Sequence, residues 1–399
     1  MGFDVQRVRE SFPALGQGVA YFDGPGGSQV PAEVARAVGD AMISGLSNQG
    51  TVTLAEQRAD EIVVAGRAAV ADLLGCVPSG VVFGRSMTQL TYDMARALAK
   101  QWGEGDEVVV TRLDHDANIR PWVHAAQSCG ATVRWADFDR DSAELPVAAV
   151  ADLLSERTRL VAVTAASNLL GTRPDIPAIA QAAHAVGALV YVDGVHLTPH
   201  AAVDVGELGA DFFACSPYKF FGPHHGLLVA EPALLETLEP DKLLPSSNQV
   251  PSRFELGTLP YELIAGTVAA VDFIAGFVSS RGTRRERVLA SMAAAEKHED
   301  ALFERLIDGL RGLPGVTLHG HAERRTPTVL FSVAGHTPQA VYEFLATKAV
   351  NAPASSFYAI EASRWLGLGD DGAVRAGLAP YTNDDDVDRL VAGVAELAR

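Results

Sequence analysis

The chain contains five lysines: Lys100, Lys219, Lys242, Lys297 and Lys348. Lys219 alone is embedded among apolar and aromatic residues, in the run Asp211-Phe-Phe-Ala-Cys-Ser-Pro-Tyr-Lys-Phe-Phe-Gly-Pro. Most lysines are solvated surface residues. A desolvated one loses basicity and becomes a usable amine nucleophile, the property Schiff-base chemistry with a carbonyl requires. Asp193 directly follows the apolar run Ala188–Val192. A carboxylate at a strand end can cap a helix, ligate a metal or pair with a cofactor, and the residues alone leave these open. His196 lies three positions on, and a histidine there reads equally as a satisfied core residue. Gly84-Arg-Ser-Met-Thr-Gln-Leu-Thr joins a strand to a helix, whose first N–H groups suit a phosphate, although many α/β loops look alike. Asp23-Gly-Pro-Gly-Gly-Ser is glycine-rich but is not the strand–GxGxxG–helix unit of dinucleotide binding. Neither a P-loop nor a GxSxG elbow occurs. His224 and His225 are adjacent and cannot share a helix face, so no metal site is expected.

These residues need a frame that brings them together. Val81–Phe83 is a short apolar run, and Leu90, Met94 and Leu98 follow at helical spacing. Val108–Val110, Ala131–Trp135, Leu160–Val163, Ala188–Val192, Phe212–Cys215 and Leu227–Val229 read as strands, with Ile176–Val186 as a helix among them. This alternation predicts an α/β fold with a mostly parallel sheet covered by helices. Ligands of such sheets bind beyond the carboxyl ends of the strands, where Met87, Asp193 and Lys219 fall. After about residue 260 the pattern changes. Helices are expected at Ile264–Phe277, Ser291–Leu310 and Pro338–Ala349, and strands at Val316–Leu318, Thr328–Val333 and Val374–Leu378. Asn383 caps a last helix, with Asp384, Asp385 and Asp386 in its first turn. The reading is a large α/β domain over residues 20–262 and a smaller α+β domain made of 263–399 with 1–19. Pro232–Ser252 is expected to be a loop or excursion.

Composition narrows the class. A length of 399 residues suggests two or three structural units. With 48% hydrophobic and 20% charged residues, the chain can bury a large core and does not resemble a disordered one. A net charge of -17 argues against nucleic acid and against anionic membranes as partners. Cys76, Cys129 and Cys215 are far apart, odd in number and without a CxxC pair. They argue against a disulfide framework and a zinc cluster and fit a reducing compartment. The opening stretch lacks a basic-then-apolar signal pattern, and no apolar run of about 18 residues occurs. A cytoplasmic location is the expectation.

Taken in order, the motifs resemble those of the class V aminotransferases of pyridoxal-phosphate (PLP) fold type I, in particular the cysteine-desulfurase-like branch. The resemblance runs from about Tyr21 to about Leu397. Ser216-Pro-Tyr-Lys219 matches the family's Ser-x-His-Lys, which implies that Lys219 forms the Schiff base with PLP and that Ser216 binds its phosphate. Tyr218 stands where the family has histidine, its hydroxyl within reach of the same phosphate. Asp193-Gly-Val-His196 matches Asp-x-x-Gln/His. It implies Asp193 beside the ring nitrogen, keeping the ring protonated as an electron sink, and His196 near the phenolic oxygen. Ser167-Asn168-Leu-Leu-Gly-Thr implies that Asn168 lies near that oxygen too. Met87 and Thr88 fall where the family holds the phosphate. Arg253-Phe-Glu-Leu-Gly-Thr258 is similar to the family's Arg-Phe-Glu-x-Gly-Thr, whose threonine reaches the phosphate of the neighbouring subunit. A homodimer with shared active sites is implied. Arg375, in Val374-Arg-Ala-Gly-Leu, is the implied partner of the substrate carboxylate, because a guanidinium matches a carboxylate bidentately. Gly26 and Phe357 are further candidate substrate-binding residues.

Two departures bear on the reaction. Desulfurases carry a sulfur-accepting cysteine on a mobile loop, and the matching stretch Ala352-Pro-Ala-Ser-Ser-Phe-Tyr-Ala-Ile-Glu has none. The family also stacks a histidine on the PLP ring, within His-His-Ala-Asn. Here the stretch is Asp114-His-Asp-Ala-Asn118, with Asp116 on the stacking position. Either His115 shifts in or a carboxylate stands over the ring. Lys219, His196, His115 and Asp116 are the candidate catalytic residues. The expected activity is PLP-dependent chemistry at Cα of an L-amino acid: C–S β-elimination from a cysteine S-conjugate, in a setting of secondary metabolism. Transamination, decarboxylating deamination and epimerisation are alternatives, because fold does not fix reaction. Desulfuration is disfavoured by the missing cysteine. A non-catalytic PLP-binding protein and a nicotinamide oxidoreductase are the readings from other classes.

Overall fold

The computed structural model describes residues 2–398. Strand β1 (Ala20–Tyr21) lies near the N-terminus. Seven strands then form the main sheet: β2 (Val81–Gly84), β3 (Glu107–Thr111), β4 (Thr132–Ala136), β5 (Thr158–Thr164), β6 (Leu189–Asp193), β7 (Phe212–Cys215) and β8 (Gly226–Ala230). Their order is β2-β8-β7-β6-β5-β3-β4. All pairings are parallel except those of β8, which runs antiparallel to both β2 and β7. The central strands are apolar on both faces because each face is covered by helices. Val109, Val161, Val190 and Phe213 belong to one core cluster, and Val108, Leu160, Tyr191 and Phe212 to the other.

The smaller unit is a four-stranded antiparallel sheet. After β9 (Val316–His319) and β10 (Thr328–Val333), the two-residue β11 (Val350–Asn351) pairs with β1, and β12 (Ala354–Ser355) and β13 (Ala373–Gly377) complete the sheet in the order β12-β13-β10-β9. Its core includes Leu306, Leu310, Val329, Phe331, Val374 and Leu390. Pairing of β1 with β11 ties the N-terminal segment to this unit. Helix Tyr261–Ala275 spans the boundary expected after residue 262 and packs on helices Ala32–Ile43 and Leu54–Leu74. The 28-residue helix Arg284–Arg311 starts from a Thr283–Glu286 capping box and leads into the smaller unit. Asn383 caps the last helix as expected, with Asp386 closing a second such box. The Pro232–Ser252 excursion begins with a short helix, Pro232–Glu236, before its loop. No described helix is long and apolar enough to cross a membrane.

Candidate active site

The carboxyl ends of β2, β5, β6 and β7 converge on one pocket. β2 hands over to helix Met87–Ala99, whose N-cap Ser86 accepts the Gln89 N–H at 3.0 Å. The first N–H groups of a helix have no intrahelical acceptor, and Met87 and Thr88 line the pocket. Gly226 allows this helix end to sit where it does. A Cβ there would lie 2.2 Å from the Ser86 carbonyl carbon and 2.5 Å from the Met87 nitrogen.

Asp193, the last residue of β6, is buried, and its Oδ1 accepts the Val195 N–H at 2.9 Å. Burial raises its pKa to about 6, opposed by that N–H and by the Lys219 charge. β7 leads through Ser216 into the single turn Pro217–Lys219. The Lys219 amine donates to the Pro25 carbonyl. Burial, then repulsion from Arg375, lowers its pKa to about 7, with Asp193 pulling the other way. A buried amine with a lowered pKa has the property that Schiff-base chemistry requires. The Tyr218 ring stacks on His224, with centroids 4.7 Å apart. Gly27 also packs close to the Tyr218 ring, since a Cβ there would approach it to 3.3 Å.

His115 and Asp116 take different places. His115 caps the turn Asp116–Asn118, its Nδ1 accepting the Ala117 N–H at 3.0 Å. Its ring lines the pocket, and burial, aided by Lys219 and Arg375, lowers its pKa to about 3. Asp116 does not line this pocket. It faces the adjoining cleft, with Oδ1 2.8 Å from Arg120 Nε, and Arg120 in turn pairs with Glu361. Of the two alternatives left open by the sequence, the geometry favours His115 in the pocket, with Asp116 an ion-pair member at the cleft wall. The self-capping imidazole fixes His115 inward, and an arginine four residues on draws Asp116 outward. Behind them the buried Asp114 accepts from Asn118 Nδ2 at 2.6 Å, and Asn118 Oδ1 accepts the Trp122 indole N–H at 3.0 Å. Burial pushes Asp114 up to about 8 against these hydrogen bonds.

Arg375 on β13 is buried. Its Nη1 donates to the Asn168 carbonyl at 2.8 Å, and the Phe357 ring centroid lies 3.7 Å from its Cζ. Burial brings its pKa down to about 9, partly countered by Asp23. Its Nε has no partner. One face of the guanidinium is covered and Nη1 is engaged, but no carboxylate among the described residues contacts the group, so its charge is left for a ligand carboxylate in the cleft that Arg375 lines. The loop that supplies Phe357 is fastened twice: the Asn168 side-chain amide donates to the Phe357 carbonyl at 2.9 Å, and the Asp116 N–H to the Tyr358 carbonyl at 2.7 Å. Phe357 and Tyr358 both have left-handed backbones, φ 52° and 58°, a conformation disfavoured for such side chains and frequent at binding sites.

Met87, Thr88, His115, Asn168, Asp193, His196, Ser216, Tyr218 and Lys219 thus meet in one pocket. It opens into a cleft of about 530 Å³ whose walls include Gly26, Asp116, Phe357 and Arg375. Thr258 lines neither and is exposed. Pro25, Thr164, Tyr92 and Arg120 also contribute walls and were not anticipated. Of these only Arg120 carried a signal, its spacing from Asp116. Cys215 is buried in β7 with its thiol pKa pushed up by burial, and no cysteine lines pocket or cleft. His224 and His225 do not cooperate, since His225 Nε2 meets Thr267 Oγ1 at 2.6 Å. Among the described residues no cluster could hold a metal ion.

The donor set fits PLP. Buried His196 Nδ1 and Asn168 Oδ1 lack partners among the described residues, so this pocket is built for a polar ligand. A helix N-terminus suits the phosphate, the Asp193 carboxylate suits the ring nitrogen, and the Lys219 amine suits the aldehyde.

Comparisons with known proteins agree. The aminotransferase class-V family model matches residues 20–390. An uncharacterised protein of Mycobacterium tuberculosis, MT3887, is 38% identical over the full length of both chains. The aminotransferase-like protein FGM3 of Gibberella zeae is 34% identical, covering 98% of this chain and 97% of its own. The crystal structure of the Escherichia coli cysteine desulfurase CsdA superposes with a TM-score of 0.87 at 27% identity, over 99% of this chain and 98% of that one. With the fold of a type I PLP enzyme and a family match across most of its length, the chain belongs to the class V aminotransferase family of PLP-dependent enzymes.

Proposed function

We propose that this enzyme is a C–S β-lyase that cleaves L-cysteine S-conjugates. The observation that carries the reading is the loop over the cleft. Where a sulfur acceptor would be needed it presents Phe357 and Tyr358, and no thiol borders the site. Sulfur released from Cβ therefore has no protein acceptor and leaves as the free thiol of its substituent.

When bound, PLP supplies an electron sink for the charge that develops at Cα. The helix start at Met87 and Thr88, with Ser216, would hold its phosphate, Asp193 its ring nitrogen, and Lys219 its aldehyde carbon. Arg375 binds the substrate α-carboxylate. That fixes Cα on the Lys219 side, where an amine of near-neutral pKa takes the Cα proton. The Cβ–S bond then breaks and the sulfur departs with its electron pair, taking up a proton as a thiol. One water completes the balance, and the products are thiol, pyruvate and ammonia. The cleft has room for a sizeable S-substituent beside Tyr92 and Tyr358.

We also propose a homodimer in which the partner subunit's Thr258 completes the phosphate site. Supporting this, Thr258 is exposed beside the exposed Leu256, and Met42, Ile43, Val52 and Leu54 are exposed apolar residues flanking the segment whose Gln49 N–H bonds the Tyr261 hydroxyl at 3.2 Å.

Product analysis with a panel of amino acids and cysteine S-conjugates tests the reaction. Equal amounts of thiol, pyruvate and ammonia are expected. Alanine with released sulfur from free cysteine, or amino transfer to a keto acid without thiol, would overturn it.

A further inference from the structure

His196 faces the cofactor pocket, but its far nitrogen is set by the smaller unit. Its Nε2 lies 3.0 Å from Thr328 Oγ1 and 3.0 Å from Thr326 Oγ1. All three side chains are buried. Each hydroxyl has one hydrogen to give. Thr326 Oγ1 donates to the Gly171 carbonyl at 3.3 Å, whereas the sole side-chain partner of Thr328 Oγ1 is His196 Nε2. Only one tautomer places both hydroxyl hydrogens: Nε2 is bare and accepts from Thr328. The ring proton must then be on Nδ1, the atom that has no partner among the described residues. A second feature keeps the ring neutral. His200 stands edge-on to it, with centroids 5.0 Å apart, and contacts the buried Glu299 through Nδ1 at 3.1 Å. Burial and the charges of His200, Arg375 and Lys219 all disfavour imidazolium at His196.

We infer that Thr328 is a positioning residue that locks His196 in the Nδ1–H tautomer, so that His196 donates a hydrogen bond into the cofactor pocket. The inference rests on the reading of His196 as the neighbour of the PLP phenolic oxygen. Thr328 lies on β10, whose Leu330 is paired with Arg375 on β13. The strand that sets the imidazole proton is thus hydrogen-bonded to the strand that binds the substrate carboxylate.

The test is direct observation of the imidazole nitrogens by ¹⁵N NMR in PLP-free protein, with the His196 signals assigned by their loss in His196→Gln. Wild type should show a protonated Nδ1 and a bare Nε2. Thr328→Ser should retain this, Thr326→Val should leave it unchanged, and Thr328→Val should move the proton toward Nε2. In the PLP-loaded enzyme, Thr328→Val should raise the pH midpoint of the visible cofactor band, because an oxygen that loses a hydrogen-bond donor becomes more basic, and Thr328→Ser should restore it. A wild-type Nε2–H tautomer, or a Thr328→Val protein with unchanged tautomer and midpoint, would refute the inference. The wild-type spectrum decides even if Thr328→Val does not fold. If the tautomer is as stated but Thr328→Val leaves the midpoint unmoved, the lock stands and the placement of His196 beside the phenolic oxygen fails.

Discussion

Arg375→Met should make the protein nearly inactive without making it less stable. Arg375 is buried with no carboxylate in direct contact, and burial brings its pKa from 12.5 to about 9. At about 1.36 kcal/mol per pH unit, holding the charge there costs on the order of 4–5 kcal/mol. The group is a base whose folded pKa lies below its unfolded one. The cost is therefore full at every pH below about 9, the whole assay range, and would fade only toward 12.5. Offsetting contributions are the charged hydrogen bond to the Asn168 carbonyl, about 1.5–3 kcal/mol, and the Phe357 stacking, up to about 2 kcal/mol. Methionine loses these but removes the buried charge, so the net change should lie between about 1 kcal/mol against and about 3.5 kcal/mol in favour of the variant, centred in its favour, as when buried charged groups are replaced by apolar ones. Losing the substrate carboxylate contact removes about 3–4 kcal/mol, a fall of roughly 10²–10³ in kcat/KM. Arg375→Lys separates the two effects: it keeps the charge but loses the fork, so activity falls with no gain in stability. Urea unfolding of the PLP-free protein and steady-state kinetics, or spectral titration of amino-acid binding to the holoenzyme, provide both measurements. If Arg375→Met is destabilised by more than about 1 kcal/mol, or keeps kcat/KM within about threefold of wild type, the account of the buried guanidinium is wrong.

Two further outcomes follow from the pocket. Because the Lys219 amine titrates at about 7, the rate at which PLP-free protein captures PLP should be flat above neutrality and fall about tenfold per pH unit below it. Asp193→Asn should move this midpoint lower, since the carboxylate raises it, and should reduce turnover by about 10²-fold through loss of a charge-assisted partner for the ring nitrogen. A stopped-flow midpoint near 10 would show that Lys219 is not desolvated. Gly226→Ala pushes a methyl into Ser86 and Met87. It should cost about 1–3 kcal/mol in stability and weaken PLP affinity at least about tenfold, whereas unchanged affinity by equilibrium dialysis would mean that the helix start does not hold the phosphate.

How much of this could be read in the sequence depended on the range of the interaction. Lys219 announced itself because its burial is local: the residues that desolvate it are partly its own neighbours in the chain. Asp193 and Met87 were placed because strand ends in parallel sheets have a shared destination. The antiparallel course of β8 was not readable, because a strand buried on both faces shows no alternation from which a direction could be inferred. The choice between His115 and Asp116 turned on one three-residue turn and on which ring nitrogen caps it, a difference of one position that no periodicity resolves. Thr258 was singled out only through the family resemblance, and in the single chain it is exposed. Thr328 is the clearest case. In sequence it is a polar residue at the start of an apolar strand, 132 positions from His196. Its meaning comes from hydrogen bookkeeping around one imidazole, and that requires the two units to be seen together. The residues that line the pocket were legible one by one, but the protonation proposed for His196 depends on its contact with Thr326 and Thr328, which no local pattern reveals.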